Sequence, residues 1–285
     1  DVYVINTCTV TAESDRKARQ FIRRAIARNP DAAIVVTGCL AQTAPESLTA
    51  IAGVDLIVGN TQKCEAARTG AALLFSGTPK TRQPKILVES TVGAGFEPMQ
   101  ITSFERTRAY VKIEDGCESH CTYCIIPYAR GPLRSRSMEN TLQEAKKLEQ
   151  AGFREIILTG IHLGAYGKET GEYTLADLCE MLLRETSFER IRLSSIEPTE
   201  VDDHLLRLFA ENRRMCRHLH LPLQAGDDSV LERMHRPYDT AQYRQEMARI
   251  RAAVPDIALS TDLMVGFPGE TEEHFEHLCN FVRDM

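Results

Sequence analysis

A chain of 285 residues, 43% hydrophobic and 26% charged, has the composition of a soluble globular protein and length enough for one large α/β domain or two ordinary ones. No apolar run approaches the ~18 residues of a membrane span, and a net charge of −6 excludes a globally basic nucleic-acid binder. Nine cysteines, spread along the chain and clustered once, argue against a secreted disulfide scaffold and for a reducing, cytoplasmic setting with metal or redox chemistry.

Apolar strand-like runs alternate with amphipathic helix-like runs along the chain. "VYVIN" predicts a strand, and about Glu13 to Arg28 a helix. "AIVVTG" predicts a strand before a helix starting near Pro45, and "VDLIVG" another before a helix from about Gln62 to Phe75. Short apolar strands separated by helices predict an α/β fold with a parallel sheet, an N-terminal domain over 1–75. Between 76 and 104 the pattern dissolves into Gly, Pro, Thr and isolated charges, which predicts a linker. Alternation resumes over 105–285. "RAYVKIEDG" precedes a helix over Met138–Ala151, "REIILTG" one over Leu175–Glu185, and "RIRLSS" one over Val201–Asn212. "HLHLPL" precedes helices near Ser229–Met234 and Ala241–Val254, and "IALSTDLMVG" precedes the last helix. Five successive β/α units predict part of a β/α barrel with right-handed crossovers. Both ends read as cut, the first inside an apolar strand and the second inside a helix.

Ligands of such folds sit at the carboxyl ends of the strands, where the unusual residues here gather. Cys8 follows "VYVIN", Cys39 follows "AIVVTG", and Cys117, Cys121 and Cys124 follow "AYVKIEDG". A catalytic thiol needs one activated cysteine rather than three. Structural zinc wants four ligands, usually two close pairs. A 4Fe–4S cluster normally takes four cysteines, so three on one tight loop leave one iron open for a substrate or cofactor. His120 reads as loop filler. Cys8 and Cys39 share one structural slot, one β/α unit apart, and either metal binding or packing suits them. Cys64, Cys179, Cys216 and Cys279 fall in or beside helices and read as packed or idle thiols. Charge is uneven: residues 1–30 and 106–136 each carry six basic residues against three acidic ones, and could meet a polyanion locally or simply be solvated.

CxxxCxxC after the first strand of a β/α barrel, with Tyr123 just before the last cysteine, resembles the signature of radical S-adenosylmethionine (SAM) enzymes. The resemblance implies a 4Fe–4S cluster on Cys117, Cys121 and Cys124 whose open iron holds the amino and carboxylate groups of SAM, and which splits it, when reduced, to a deoxyadenosyl radical. "INTCTVT", "TGCLAQ", "GCESHCTYCIIPYARGPLRSR", "LTGIHLGAYG", "LPLQAGDDSVLERMHRPY" and "DLMVGFPGETEEHF" together are similar to the methylthiotransferases, from the first residues to the last helix. "CIIPYARG…RSR" and "LTGIHLGAYG" look most like the branch that modifies threonylcarbamoyladenosine beside the tRNA anticodon. This implies a radical SAM barrel that adds a methylthio group to C2 of that base, with tRNA, SAM and an electron donor protein as partners. It also implies a second 4Fe–4S cluster in the N-terminal domain, held by three cysteines. Cys8 and Cys39 match two of these, and the third lies upstream of Asp1 in the family pattern. Sister branches act on prenylated adenosine in tRNA or on a ribosomal protein aspartate. A non-catalytic iron–sulfur or zinc module is the alternative of another class.

Thr159 and Gly160, in the glycine-rich "TGIHLGAYG", resemble the element receiving the methionine amino group; an ordinary loop is the plain alternative. Ser195 and Glu197 suit acceptance of hydrogen bonds from an ammonium or a ribose. Gln224 stands at the same place on the fourth strand, and Val265 and Gly266 offer an apolar backbone edge for adenine. The forks of Arg130, Arg134 and Arg136 suit phosphate, as tRNA backbone, or a cofactor carboxylate, against a solvated basic loop.

Overall fold

β-Branched and apolar runs form the strands, and amphipathic runs the helices between them. The computed structural model describes residues 1–75, 83–97, 99–101 and 107–285. Two units emerge, one of 1–99 with 124–132 and one of 100–123 with 133–285.

In the first unit β1 (Val2–Thr7), β2 (Ala33–Gly38), β3 (Leu56–Val58) and β4 (Lys85–Leu87) pair in parallel in that order. Its helices are α1 (Ala12–Arg28), α2 (Cys39–Thr43), α3 (Pro45–Thr49), α4 (Lys63–Phe75) and α5 (Ile126–Arg130). β2 is buried along its whole length because alternate residues serve opposite layers. Ile34 and Val36 join a cluster with Ile22 of α1, while Val35 joins Ala66 of α4. Covering on both faces is the reason "AIVVTG" is an unbroken apolar run. α1 begins at Thr11, whose hydroxyl accepts from the Ser14 amide, and Glu13 and Asp15 complement the positive end of the helix.

β4 lies inside the stretch expected to be a linker. Three residues flanked by turn-forming ones carry too little periodicity to be read in advance, yet Lys85–Leu87 extends the sheet beyond β3. Residues 76–82, 98 and 102–106 of that stretch lie outside the described residues.

The second unit repeats β then α. β5 (Ala109–Lys112), β8 (Glu155–Thr159) and β9 (Arg190–Leu193) form one parallel sheet, and β10 (His218–His220) pairs in parallel with β11 (Ala258–Ser260). Isolated parallel bridges from Ile191 to Met215 and from Ser195 to His220 continue the succession from β9 to β10. β6 (Glu114–Asp115) and β7 (Arg134–Ser135) make a small antiparallel ladder beyond the end of β5. The helices are α6 (Met138–Gln150), α7 (Leu175–Glu185), α8 (Asp203–Glu211), α9 (Asp228–Arg233), α10 (Thr240–Ala253) and α11 (Glu272–Asp284). Val111, Leu158, Leu193 and Leu219 from the strands share one core with Leu178, Leu182 and Phe209 from the helices. This is a partial β/α barrel. The strand expected over "IALSTDLMVG" shortens to Ala258–Ser260, with one further bridge between Gln224 and Leu263. The regular pairing of β10 with β11 ends at His220 and Ser260, and Gln224, at the later bridge, has φ of 70°. No helix among the described residues is long and apolar enough to cross a membrane.

Asp227 fixes the turn after β10. One carboxylate oxygen accepts from the amides of Ser229 and Val230 at the start of α9, and the other lies 2.7 Å from His277 Nδ1 in α11. Burial alone would raise its pKa, but hydrogen bonds from Ser229, His277 and Val230 hold it down at about 2. A depressed carboxylate contributes stability that is present above its unfolded pKa of 3.8 and lost as pH falls through about 2. Asp227→Ala is expected to cost about 1–2 kcal/mol at neutral pH in urea denaturation. The difference from the unsubstituted protein should shrink as the titration is repeated toward pH 2.

Candidate metal centre and nucleotide pocket

The cysteine loop leaves β6 through Gly116, at φ of 93°, and Cys117 and Cys121 are half-buried. The turn after α9 cradles this loop. The Thr122 amide donates to the Met234 carbonyl (3.2 Å), the Thr122 hydroxyl to the Arg233 carbonyl (2.9 Å), and His235 Nδ1 lies 3.3 Å from the His120 carbonyl. His120 and His235 both have positive φ, at 48° and 62°, as sharp turns of non-glycine residues require.

Each of these two thiols faces a basic side chain. His162 Nδ1 is 3.6 Å from Cys117 Sγ, and Arg236 Nη1 donates to Cys121 Sγ at 3.3 Å. Burial alone would raise the Cys117 pKa, but hydrogen bonds from His162 and Ser119 win and hold it below the usual thiol value. Burial likewise would lower the pKa of His162, yet Cys117 and Glu200 push it up to about 10. A sulfur held toward the thiolate form by neighbouring donors, as Cys117 is, fits a metal-binding role. Cys124 stands two residues before α5 in the first unit and is also half-buried.

Behind His162 lies Glu114, wholly buried, whose Oε2 accepts from the His162 amide at 2.6 Å. Gly160 lets this happen: a Cβ there would stand 2.6 Å from Glu114 Oε2. Glu114 Oε1 has no hydrogen-bond partner among the described residues.

The expected ligand-binding residues separate by surroundings. Val265 and Gly266 line a cavity of about 500 Å³ with Thr122, Tyr123, Met264 and Phe267, so the adenine-edge loop opens beside the cysteine loop. Glu197 is paired with Arg236, which itself reaches Cys121. Ser195 is exposed at the end of β9, and Gln224 bridges to Leu263 through its backbone. Thr159 differs from expectation: its hydroxyl donates to the Val111 carbonyl at 3.3 Å, a bond internal to the sheet.

In the first unit Thr7 pairs with Gly38, so Cys8 and Cys39 each follow one of two paired strand ends. Gly38 has φ of 102°, and a Cβ there would meet the Thr7 carbonyl at 2.2 Å; only glycine makes this turn into α2. Cys8 is exposed and Cys39 buried. Arg130 Nε donates to Cys39 Sγ at 3.2 Å, and Asn60 Nδ2 lies 3.9 Å from the same sulfur.

The three arginines expected to face phosphate have separate surroundings. Arg130 is turned onto a thiol. Arg134 is buried and faces Asp115 (3.5 Å). Arg136 is buried against Glu144 and Asn140, its Nε donating to Asn140 Oδ1 at 2.8 Å. Arg134 and Arg136, desolvated and matched to carboxylates, are turned away from an RNA phosphate. Arg236, His162 and Glu114 were not singled out by motif. Arg236 meets Cys121 across 115 residues of sequence, so no local spacing marks it.

Family models match this architecture in both units. The radical SAM superfamily covers residues 111–282, and the Uncharacterized protein family UPF0004 covers residues 1–59. The chain is 43% identical to "Threonylcarbamoyladenosine tRNA methylthiotransferase MtaB" of Bacillus subtilis, over 100% of this chain and 62% of that protein. It is 41% identical to the protein of the same name from Aquifex aeolicus, over 99% of this chain and 68% of that one. In fold it is similar to the radical SAM methyltransferase TsrM from Kitasatospora setae, with a TM-score of 0.71 at 17% identity, over 99% of this chain and 60% of that one. The chain therefore belongs to the radical SAM superfamily and, within it, to the tRNA methylthiotransferase family. It spans a little under two thirds of the length of the Bacillus subtilis relative.

Two substitutions check the buried charges. Arg136→Ala strands Glu144 without its cation and should cost about 3–5 kcal/mol in urea denaturation. At Glu114, burial pushes the carboxyl up to about 8 against the pull of the His162 amide. Its stabilising contribution is full below the unfolded value of 4.5 and is lost as pH rises through about 8. Glu114→Gln keeps the shape and the acceptor. It should flatten the stability profile between pH 4.5 and about 8, and leave the protein more stable than the unsubstituted one above that range.

Proposed function

We propose that the chain is the catalytic part of a tRNA methylthiotransferase that adds a methylthio group to C2 of threonylcarbamoyladenosine beside the anticodon. One observation carries this reading: the cavity lined by Val265 and Gly266 is also lined by Thr122 and Tyr123 of the CxxxCxxC loop, so a nucleoside there reaches the cysteine loop. Cys117, Cys121 and Cys124 hold a 4Fe–4S cluster by motif, and Cys8 and Cys39 contribute to a second cluster in the first unit. Such clusters supply the single electron that opens SAM and the sulfur that the product gains. The protein's own residues bind and orient. Met264, Val265 and Phe267 form an apolar wall for an adenine, Glu197 accepts from a ribose hydroxyl, and the turn at Gly160 receives an ammonium. The partners are tRNA, SAM and an electron donor protein, and the setting is the cytoplasm.

Cys121→Ala in the full-length protein, reconstituted without oxygen, is expected to lose SAM cleavage together with the iron of this cluster. Persistent cleavage would remove the cluster from Cys121. Mass spectrometry of tRNA nucleosides from a deletion strain should then show the 2-methylthio derivative of threonylcarbamoyladenosine gone. Loss from prenylated adenosine, or unchanged tRNA, would move the activity to another substrate. A colourless protein that holds zinc would replace the enzyme with a structural module.

A further inference from the structure

Arg236 is a buried cation of the second unit with partners on three side chains, and no step described above uses it. Its side chain is 3% exposed. Nη1 donates to Cys121 Sγ at 3.3 Å, while Nη2 donates to Glu197 and, at 2.8 Å, to the Tyr238 hydroxyl. Nε also reaches Tyr238 (3.1 Å), and the guanidinium lies 5.0 Å from the centroid of that ring. Tyr238 is itself anchored, its hydroxyl donating to the Pro222 carbonyl at 2.5 Å. The preceding residues Arg233 to His235 are those that cradle Thr122 and His120. One planar cation, fixed by an aromatic ring, thus touches a sulfur of the cysteine loop with one arm and a carboxylate with the other. A lysine ammonium could neutralise one of these partners but lacks the rigid fork that spans both.

Resting on the proposed function, we infer that Arg236 is a positioning residue that couples the nucleoside carboxylate Glu197 to the cluster sulfur of Cys121. A ribose hydroxyl that takes up lone pairs of Glu197 loosens that carboxylate's hold on the guanidinium, which then donates more strongly to the sulfur. Because hydrogen bonds to cluster sulfurs raise the reduction potential, occupation at Glu197 is felt at the iron without direct contact between them. SAM binding thereby tunes the electron acceptor that it needs.

The test uses full-length protein reconstituted without oxygen, with Arg236→Gln and Arg236→Lys beside the unsubstituted form. The readouts are iron content, cluster midpoint potential by spectroscopic titration with and without SAM, and SAM affinity by equilibrium binding. Both variants are expected to keep about four irons on this cluster, to titrate at a more negative potential, and to bind SAM more tightly, because Glu197 no longer shares its lone pairs with the guanidinium. The potential shift on adding SAM should shrink, more in Arg236→Gln than in Arg236→Lys. Loss of iron with an intact cooperative melting transition overturns the coupling, since Arg236 then supports the thiol alone. Unchanged potential and affinity in an iron-loaded variant overturn it, as does unfolding of both variants, which leaves Arg236 a packing role alone. If the unsubstituted cluster ignores SAM, the proposed function fails first. If it responds and the variants respond alike, only this inference fails.

Discussion

A sulfur held away from bulk water needs hydrogen-bond donors close by, and each unit supplies them to its own cysteines. Cys117 has His162, Cys121 has Arg236, and Cys39 has Arg130 with Asn60. Each basic partner arrives on a different segment of the chain. Strand pairing in parallel register is what delivers loops to the carboxyl ends of the strands, as in other β/α folds. The chemistry at the rim therefore depends on burial in the core: Leu158 and Leu193 must pack before Thr159 and Ser195 have a place to stand.

Much of this architecture could be read in advance because it is periodic. α7 has the expected limits, Leu175 to Glu185, since an apolar stripe begins directly after a Thr174 cap and ends at a run of polar residues. Cys8 and Cys39 could be placed as neighbours because each ends an unmistakable apolar strand. β4 could not, since three residues carry no period. β11 was overread because "IALSTDLMVG" has apolar residues on both sides of Ser260–Asp262, and apolarity alone does not say where a strand loses its partner.

The arginines illustrate a different limit. In sequence, Arg130, Arg134 and Arg136 form one basic cluster beside the cysteines, and charge arithmetic treats them alike. In the fold each has its own counterpart: a thiol for Arg130, Asp115 for Arg134, Glu144 for Arg136. Glu144 lies on α6 and Cys39 on α2, so neither partner is visible from the local run of charge. Side-chain partners across long sequence separations are the part of a site that composition and spacing leave open. Arg236 was missed for the same reason.

The segment 124–132 belongs by its contacts to the first unit, although the chain on either side of it belongs to the second. Within the first unit Asn60 donates to the Ala129 carbonyl at 2.7 Å, and Gly131 sits so close to Thr91 that a Cβ would stand 2.2 Å from its hydroxyl. The first unit is therefore discontinuous in sequence. A chimaera made by a single crossover between related proteins would join one parent's N-terminal sheet to the other parent's segment 124–132. Recombination that respects the fold must carry residues 124–132 along with the N-terminal half, which ties the inheritance of one thiol of the CxxxCxxC loop to that of the sheet bearing Cys39.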